Sequence, residues 1–277
     1  MNLDFLSLPP FESGWVWLVG AGPGDPSLLT IGALHALREA DTVVHDALVD
    51  DRILALASPG AELIYAGKRG GKPSAKQPDI SARLVTLARA GRKVLRLKGG
   101  DPFLFGRGGE EALALVGADI PFRVIPGITA AIGGLAYAGI PMTHRATATA
   151  VTFITGHNLS GAVPDDLDWA ALANGAQVLI FYMALKHIDE IVDRLMEGGL
   201  RPESPAALIA HATTERQQIV ETTLTGAKQA AVGMSPPALF VVGEVVRLRD
   251  GLDWLGALSG RVLDHDPLGY RDIRDAG

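Results

Sequence analysis

The sequence contains no cysteine, few aromatic residues and no excess of basic charge. Without cysteine there are no disulfides, thiolate-held clusters or thiol nucleophiles, which fits a reducing cytoplasm. The seven histidines form no HxxxH pair, so we expect no metal site. A net charge of −6 and 6% aromatic residues argue against nucleic-acid binding. No apolar run is long enough to span a membrane, and the acidic N-terminus does not resemble a secretory signal.

Short β-branched runs alternate with longer helix-like patterns over most of the 277 residues, which predicts an α/β fold. A first series of candidate strands occupies 15–20, 42–45, 62–66, 93–97 and 121–125, and a second occupies 150–155, 177–182, 206–210, 217–223 and 238–243. The helix patterns between them place apolar residues on one face, such as Ile80, Leu84, Leu87 and Ala88, or Ile188, Ile191, Val192 and Leu195.

The two series predict two α/β domains. A small-residue segment, "IPGITAAIGGLAYAGIPMTHRA", separates them and reads as a buried helix and connector, because a flexible linker would be more polar. The predicted division is an N-terminal α/β domain at 14–125, a connecting helix and linker at 126–149, a C-terminal α/β domain at 150–258, and a loose tail at 259–277.

The loop "VGAGPGDPS" indicates a nucleotide-like ligand but fits neither common phosphate-binding loop. A Walker A loop needs Gly-Lys where Gly24 and Asp25 stand, and the dinucleotide fingerprint needs its third glycine at another spacing. An acid in the loop disfavours pyrophosphate, whereas S-adenosylmethionine carries a sulfonium and no phosphate. A tight turn without a ligand is the structural alternative.

Two further glycine-rich stretches, "LKGGDPFLFGRGGEE" and "IPGITAAIGG", follow the fourth and fifth candidate strands. Ligands of open α/β sheets bind at the carboxyl ends of the strands. Three such loops therefore predict a shared pocket rather than three unrelated turns.

These stretches, with "VVHDALV", "AGKRGG", "TGH", "FYMAL" and "PALFVVGEVV" in this order, resemble the tetrapyrrole methylase family over roughly residues 14 to 258. The resemblance implies a non-Rossmann methyltransferase. It would be a cytoplasmic homodimer of two-domain α/β subunits with a ligand cleft between the domains. It implies S-adenosylmethionine as methyl donor and S-adenosylhomocysteine as product. Transferred position by position, the implied donor contacts are Pro23, Gly99, Gly100, Asp101, Thr129, Ala130, Met183, Ala212 and Ala238.

Within the family, the motifs are most similar to members that methylate uroporphyrinogen III at C2 and C7, giving precorrin-2 through precorrin-1 for cobalamin or siroheme synthesis. This acceptor is a polycarboxylate, so an acidic protein should still offer it basic side chains. The candidates are Lys68, Arg69, Lys72, Lys76, Lys98, Arg107 and Arg145. Arg107 has an alternative, which is an ion pair with Glu110 or Glu111.

Asp46 is the candidate catalytic residue, because it ends a strand at the predicted ligand edge and lies in the family's Asp-x-Leu-Val motif. Its role would be to accept the proton that the tetrapyrrole loses. Its alternative is to cap the following helix, and core packing is the alternative for Met183. Two departures from the family pattern, His45 for tyrosine and the altered basic loop after "GKR", bear on acceptor contacts.

Three other functions differ in substrate or reaction. A later corrin-ring methylase shares the fold, but "FGRGGEE" favours the uroporphyrinogen group. An RNA ribose methyltransferase of the same fold should show a basic face with stacking aromatics. A nicotinamide oxidoreductase would need the missing third glycine and an acidic ribose ligand.

Overall fold

The computed structural model describes residues 6–66, 77–158 and 160–269. The chain forms two compact units, of which the first ends at Thr129 and the second begins at Ala130. Among the described residues no helix is both long and apolar enough to cross a bilayer. The same residues hold no group of three histidine or carboxylate side chains that could bind a metal ion.

The first unit is a parallel five-stranded sheet with the strand order β3-β2-β4-β1-β5. Its strands are β1 (Val16–Gly20), β2 (Thr42–His45), β3 (Glu62–Tyr65), β4 (Val94–Lys98) and β5 (Phe122–Ile125). Its helices are α1 (Ile31–Glu39), α2 (Asp51–Leu54), α3 (Gln77–Arg89) and α4 (Gly108–Val116), with a 3-10 turn at Pro26–Leu28. Because all five strands are parallel, their carboxyl ends lie along one edge of the sheet.

Helices cover both faces of this sheet. Trp17 and Val19 of β1 pack with Leu37 of α1 on one face. Val16 and Leu18 join a second cluster on the other face, which includes Leu84 of α3 and Leu115 of α4. Successive side chains of β1 point to opposite faces of the sheet, and both faces are buried. The strand is therefore a continuous apolar run and shows no alternation of apolar and polar residues.

The second unit contains a mixed five-stranded sheet with the order β6-β7-β10-β8-β9. Its strands are β6 (Thr152–Thr155), β7 (Leu179–Tyr182), β8 (Pro205–Ala210), β9 (Gln218–Thr223) and β10 (Ala238–Val242). The helices are α5 (Ala130–Tyr137), α6 (Trp169–Gly175), α7 (Ile188–Glu197), α8 (Ala227–Ala230), α9 (Arg249–Leu252) and α10 (Trp254–Leu258), with 3-10 turns at Leu185–His187 and Glu244–Leu248.

The small-residue segment divides between the two units, with the break just before α5. Ala131 and Leu135 of α5 are buried in the core of the second unit together with Ile180 and Val241, so this helix belongs to that unit's core. A methyl group on Gly134 would lie 2.8 Å from Cβ of Ala212, which explains why this part of the helix is built from small residues.

All ten predicted strands are present, each within two residues of its predicted bounds. The four apolar residues predicted to share a face of α7 are all buried. The α3 helix begins at Gln77, two residues before Asp79, which was predicted to help start it. The prediction of an α/β fold with two sheets is therefore confirmed.

The segment predicted as a loose tail from residue 259 is tied down at its beginning. Arg261 binds the carboxylates of Asp253 and Asp250, each at 2.8 Å, and the Asp264 N–H donates to the Asp250 carbonyl at 2.9 Å. Asp253 also pairs with Arg249 at 2.8 Å and is 5% exposed. Residues 270–277 lie outside the described part of the chain.

Asp253→Asn should lower the free energy of unfolding at pH 7 by about 1.5–3 kcal/mol, the usual range for hydrogen bonds to a charged group. Burial alone would raise the pKa of Asp253, but hydrogen bonds from Gly256, Arg249 and Arg261 hold it below its ordinary value. A carboxyl with a depressed folded pKa stabilises the fold above its unfolded pKa and loses that contribution as the pH falls. In urea unfolding, the difference in unfolding free energy between the parent and Asp253→Asn should therefore shrink as the pH falls.

The matched control is Asp165→Asn, because Asp165 pairs with Arg194 at 2.8 Å but is 77% exposed. An exposed ion pair contributes little, so this variant should unfold like the parent. An Asp253 variant as stable as its parent at pH 7 would contradict the anchoring role.

Candidate active site

The carboxyl edge of the first sheet brings the three glycine-rich loops together, as the sequence predicted. Because β4, β1 and β5 are neighbours in the sheet, the loops that follow them lie side by side. Gly22 and Gly100 exchange two backbone hydrogen bonds of 3.2 and 2.7 Å. A methyl group on Gly20 would lie 2.5 Å from the Gly100 carbonyl oxygen, and one on Gly127 would collide with the same atom. Glycine is therefore required here by contact among the loops themselves.

The Asp101 carboxylate organises two of these loops. Its Oδ1 accepts hydrogen bonds from the backbone N–H groups of Phe103 and Leu104 at 2.8 and 3.1 Å. Its Oδ2 accepts from the N–H of Gly127, after β5, at 3.1 Å. In the loop after β1, the Asp25 side chain accepts from the N–H of Ser27 and caps the short 3-10 turn beyond half-buried Pro23. Both acids thus fix loop backbones.

Asp46 lies at the same edge, immediately after β2. Its Oδ1 accepts from the N–H of Leu48 at 3.1 Å, and its Oδ2 is 3.9 Å from Nη2 of Arg96. The side chain is 25% exposed, so a ligand at the edge can reach it. The alternative that Asp46 caps the following helix is wrong, because Asp50 caps α2 by accepting from the N–H of Arg52.

A buried cluster of charges lies behind Asp46, and the sequence indicated its central member, Glu111, only as an alternative partner of Arg107. Glu111 of α4 is 0% exposed and binds Nε of Arg96 at 3.0 Å and Nζ of Lys98 at 3.1 Å. Arg96 and Lys98 are themselves almost completely buried in β4. The signal in the sequence was the alternation of two cations with leucines in "VLRLK", which indicates a charged strand face.

Lys98 was predicted to contact acceptor carboxylates, but its ammonium is enclosed and paired with Glu111. Burial, followed by the positive charge of Arg96, lowers the pKa of Lys98, and Glu111 and Asp46 oppose that effect. A cation enclosed in this way belongs to the protein's internal charge balance. We therefore do not include it among the acceptor contacts.

Arg107 is half exposed at the start of α4, where its φ of 60° is left-handed. Its Nε donates to Oε1 of Glu110 at 2.9 Å, which is one of the two pairings expected as alternatives. That hydrogen bond raises the pKa of Arg107 and lowers the pKa of Glu110. Because the pair is exposed, its guanidinium stays accessible to an anion. Arg145 is exposed in the second unit, in the turn between His144 and Ala148.

The basic-loop residues Lys68, Arg69, Lys72 and Lys76 lie outside the described residues. The ring of His45 packs edge-on against Tyr65, the last residue of β3, with centroids 5.6 Å apart. The departure from the family pattern at His45 therefore lies next to Asp46 in the chain and contacts the last strand before the basic loop.

The predicted donor residues of the second unit also share one sheet edge. β7 and β8 end at this edge and β10 begins there, because β10 is antiparallel to both. Ala238 pairs with Ala210, two residues before Ala212, and Leu239 pairs with Tyr182, next to Met183. Helix α5 begins beside them, since the Ala131 N–H donates to Oη of Tyr182 at 3.1 Å. Thr129 and Ala130 adjoin at the start of this helix.

Met183 is 43% exposed, so the alternative that it packs in the core is wrong. Its backbone is left-handed, with φ of 56°, as is the backbone of His211 (48°) and Thr213 (64°) after β8. Such conformations cost of order 1 kcal/mol for residues with side chains and cluster at functional sites. No residue type in the sequence signals this strain, because none of the three is glycine or asparagine.

Comparison with known proteins agrees with this arrangement. The family of tetrapyrrole (corrin/porphyrin) methylases matches residues 16–228. The uroporphyrinogen-III C-methyltransferase of a Sinorhizobium species is 61% identical over 273 residues, which is 98% of each chain. A siroheme synthase of Sodalis glossinidius is 49% identical over 251 residues, and the match covers 91% of this chain but 53% of that protein.

The crystal structure of uroporphyrin-III C-methyltransferase from Thermus thermophilus, complexed with S-adenosylhomocysteine, is also similar. It superposes with a TM-score of 0.74 at 40% identity, covering 84% of this chain and 99% of that one. The family matches most of the chain, and a relative at 61% identity matches nearly all of it. The chain belongs to the tetrapyrrole methylase family.

Proposed function

We propose that this protein transfers methyl groups from S-adenosylmethionine to C2 and C7 of uroporphyrinogen III, giving precorrin-2 through precorrin-1. The observation that carries the proposal is the 61% identity with the Sinorhizobium methyltransferase over nearly all of both chains. The family resemblance further suggests that it acts as a homodimer in the cytoplasm, and the absence of cysteine is compatible with that compartment.

The donor-binding residues that we propose form two groups. In the first unit they are Pro23, Gly99, Gly100, Asp101 and Thr129, and in the second they are Ala130, Met183, Ala212 and Ala238. Apart from Asp101, whose carboxylate is occupied by loop N–H groups, these residues offer backbone groups and small or apolar side chains. That chemistry suits an adenosine and a thioether better than it suits phosphates. When bound, S-adenosylmethionine supplies a methyl group on a positively charged sulfur.

Asp46 is our proposed general base, and the cations predicted from the sequence, apart from Lys98, are the proposed acceptor contacts. A pyrrole of uroporphyrinogen III is electron-rich, so alignment and exclusion of water should supply most of the rate enhancement. After the carbon–carbon bond forms, the tetrapyrrole must lose a proton, and the partly exposed Asp46 carboxylate is available at the sheet edge to accept it. Arg107, Arg145 and the basic loop of Lys68, Arg69, Lys72 and Lys76 would attract the acceptor's carboxylates.

Calorimetric titration tests the donor assignment. We expect the protein to bind S-adenosylmethionine and S-adenosylhomocysteine but not NAD. Met183→Ala should weaken S-adenosylhomocysteine binding about five- to tenfold, because it removes apolar contact with the ligand. Val232→Ala is the matched control, since Val232 is exposed in the same unit and should leave the affinity unchanged. NAD binding without donor binding would refute the assignment, and equal affinities of both variants would remove Met183 from the site.

Asp46→Asn tests the base. Asparagine retains the side-chain oxygen that accepts from the Leu48 N–H, so the local turn should survive while the negative charge and the base are lost. We expect normal folding, S-adenosylhomocysteine affinity within a few-fold, and turnover reduced by about a hundredfold or more, measured by transfer of a labelled methyl group.

Asp50→Asn is the control for Asp46→Asn. Asp50 is the neighbouring acid that caps α2, and asparagine caps helices as well as aspartate does. Its turnover should stay within about twofold of the parent. If Asp46→Asn also turns over normally, the base lies elsewhere.

Replacement of Lys68, Arg69, Lys72 and Lys76 together by glutamine tests the acceptor contacts. We expect a higher KM for uroporphyrinogen III and a weaker dependence of kcat/KM on salt, because fewer charges attract the polycarboxylate. The affinity for S-adenosylhomocysteine should stay the same. Steady-state kinetics at low and high ionic strength that match the parent would exclude the loop from acceptor binding.

A further inference from the structure

The face of β4 that packs under α3 and α4 changes from apolar to charged toward the ligand edge. Val94 is part of the apolar cluster on this face, whereas Arg96 and Lys98, two and four residues farther on, are buried cations. Glu111 of α4 lies between them, and Asp46 lies beyond Arg96 at the rim. The four side chains carry two positive and two negative charges, so the cluster is balanced only when Asp46 is counted.

Fold stability alone does not account for this cluster. Removing charges from water is costly, and buried ion pairs are often no more stabilising than apolar side chains of similar volume. The pKa of Lys98 is lowered mainly by burial, which shows the cost of placing that ammonium here. The position of this costly cluster next to the sheet edge points to an effect on the group at the rim, Asp46.

Arg96 is held in one orientation. Its Nε donates to Glu111 at 3.0 Å, and its Nη1 donates to the carbonyl oxygens of Val44 and Leu97 at 3.3 and 3.2 Å. These bonds fix the plane of the guanidinium and direct Nη2 toward Oδ2 of Asp46, 3.9 Å away. Val44 belongs to the strand that Asp46 terminates, so Arg96 is anchored to the same backbone that carries the carboxylate.

We propose that Arg96 is a positioning residue for the Asp46 carboxylate and that Glu111 keeps Arg96 in place. The Leu48 N–H holds one oxygen of Asp46, and the guanidinium attracts the other, so together they set the direction in which the carboxylate faces the acceptor. Neither Arg96 nor Glu111 touches substrate, because both are buried. This inference rests on the proposed function, in which Asp46 removes a proton from the tetrapyrrole.

A double-mutant cycle between positions 96 and 46 tests the proposal, because residues that act through one another are not additive. Arg96→Met should lower kcat about tenfold or more in the parent, with the KM for S-adenosylmethionine and the affinity for S-adenosylhomocysteine within about threefold. In the Asp46→Asn background the same change should lower kcat less than about twofold, since there is no base left to orient. Arg96→Lys, which keeps the charge without the planar fork, should recover part of the loss.

Arg249→Met is the matched control. Arg249 is also a buried arginine paired with carboxylates, Glu221 and Asp253, but it lies near the end of α5, where it donates to the Ala138 carbonyl. Arg249→Met should lower the thermal midpoint but leave kcat unchanged, whether residue 46 is aspartate or asparagine.

The outcomes separate the two proposals. A parent that does not methylate uroporphyrinogen III refutes the proposed function, and with it the role of Arg96. An active parent in which Arg96→Met lowers kcat equally in both backgrounds, or not at all, overturns the positioning role alone. If circular dichroism shows that Arg96→Met does not fold, Arg96→Lys and the isosteric Glu111→Gln take its place in the cycle, and the same criterion applies.

Discussion

The ligand edge of the first unit depends on a close contact between backbones, where Gly20, Gly100 and Gly127 meet at the ends of three adjacent strands. A side chain on Gly20 or Gly127 would push the loops apart, because the nearest atoms are backbone atoms that cannot move aside alone. The paired hydrogen bonds of Gly22 and Gly100 and the Asp101 carboxylate then lock the loops in register. The shape of this edge is therefore set before any ligand arrives, which reduces the ordering cost of binding.

A rigid edge also explains where charges are tolerated. Asp101 accepts from three backbone N–H groups and Asp25 accepts from that of Ser27, and these hydrogen bonds hold the loops. One oxygen of Asp46 accepts from the Leu48 N–H, and the other faces a buried guanidinium at 3.9 Å. It is the acid among these three with a partly exposed carboxylate beside a buried cation. A general base must be oriented by its neighbours and still have an oxygen that the substrate proton can reach.

The sequence predicted the architecture well because β-branched runs and small-residue loops are local signals. Strand alternation and parallel order placed the glycine loops of β4, β1 and β5 at one edge without knowledge of any contact. The sequence predicted the roles of individual side chains less well, because those roles depend on partners distant in sequence. Lys98 was predicted to contact acceptor carboxylates, but it pairs with buried Glu111. Helix capping was the alternative for Asp46, but Asp50 caps α2.

In the second unit, the sequence could not predict the backbone conformation at the sheet edge. Met183, His211 and Thr213 adopt left-handed backbones at the edge where the proposed donor contacts gather. The energy for this strain comes from the strands that hold them, since β10 pairs with both β7 and β8. One result is that Met183, adjacent to a buried strand, leaves its thioether side chain 43% exposed instead of in the core. The edge of the first unit thus presents charged side chains, and the edge of the second presents the apolar side chain of Met183. A sulfonium donor and a polycarboxylate acceptor require both kinds of surface.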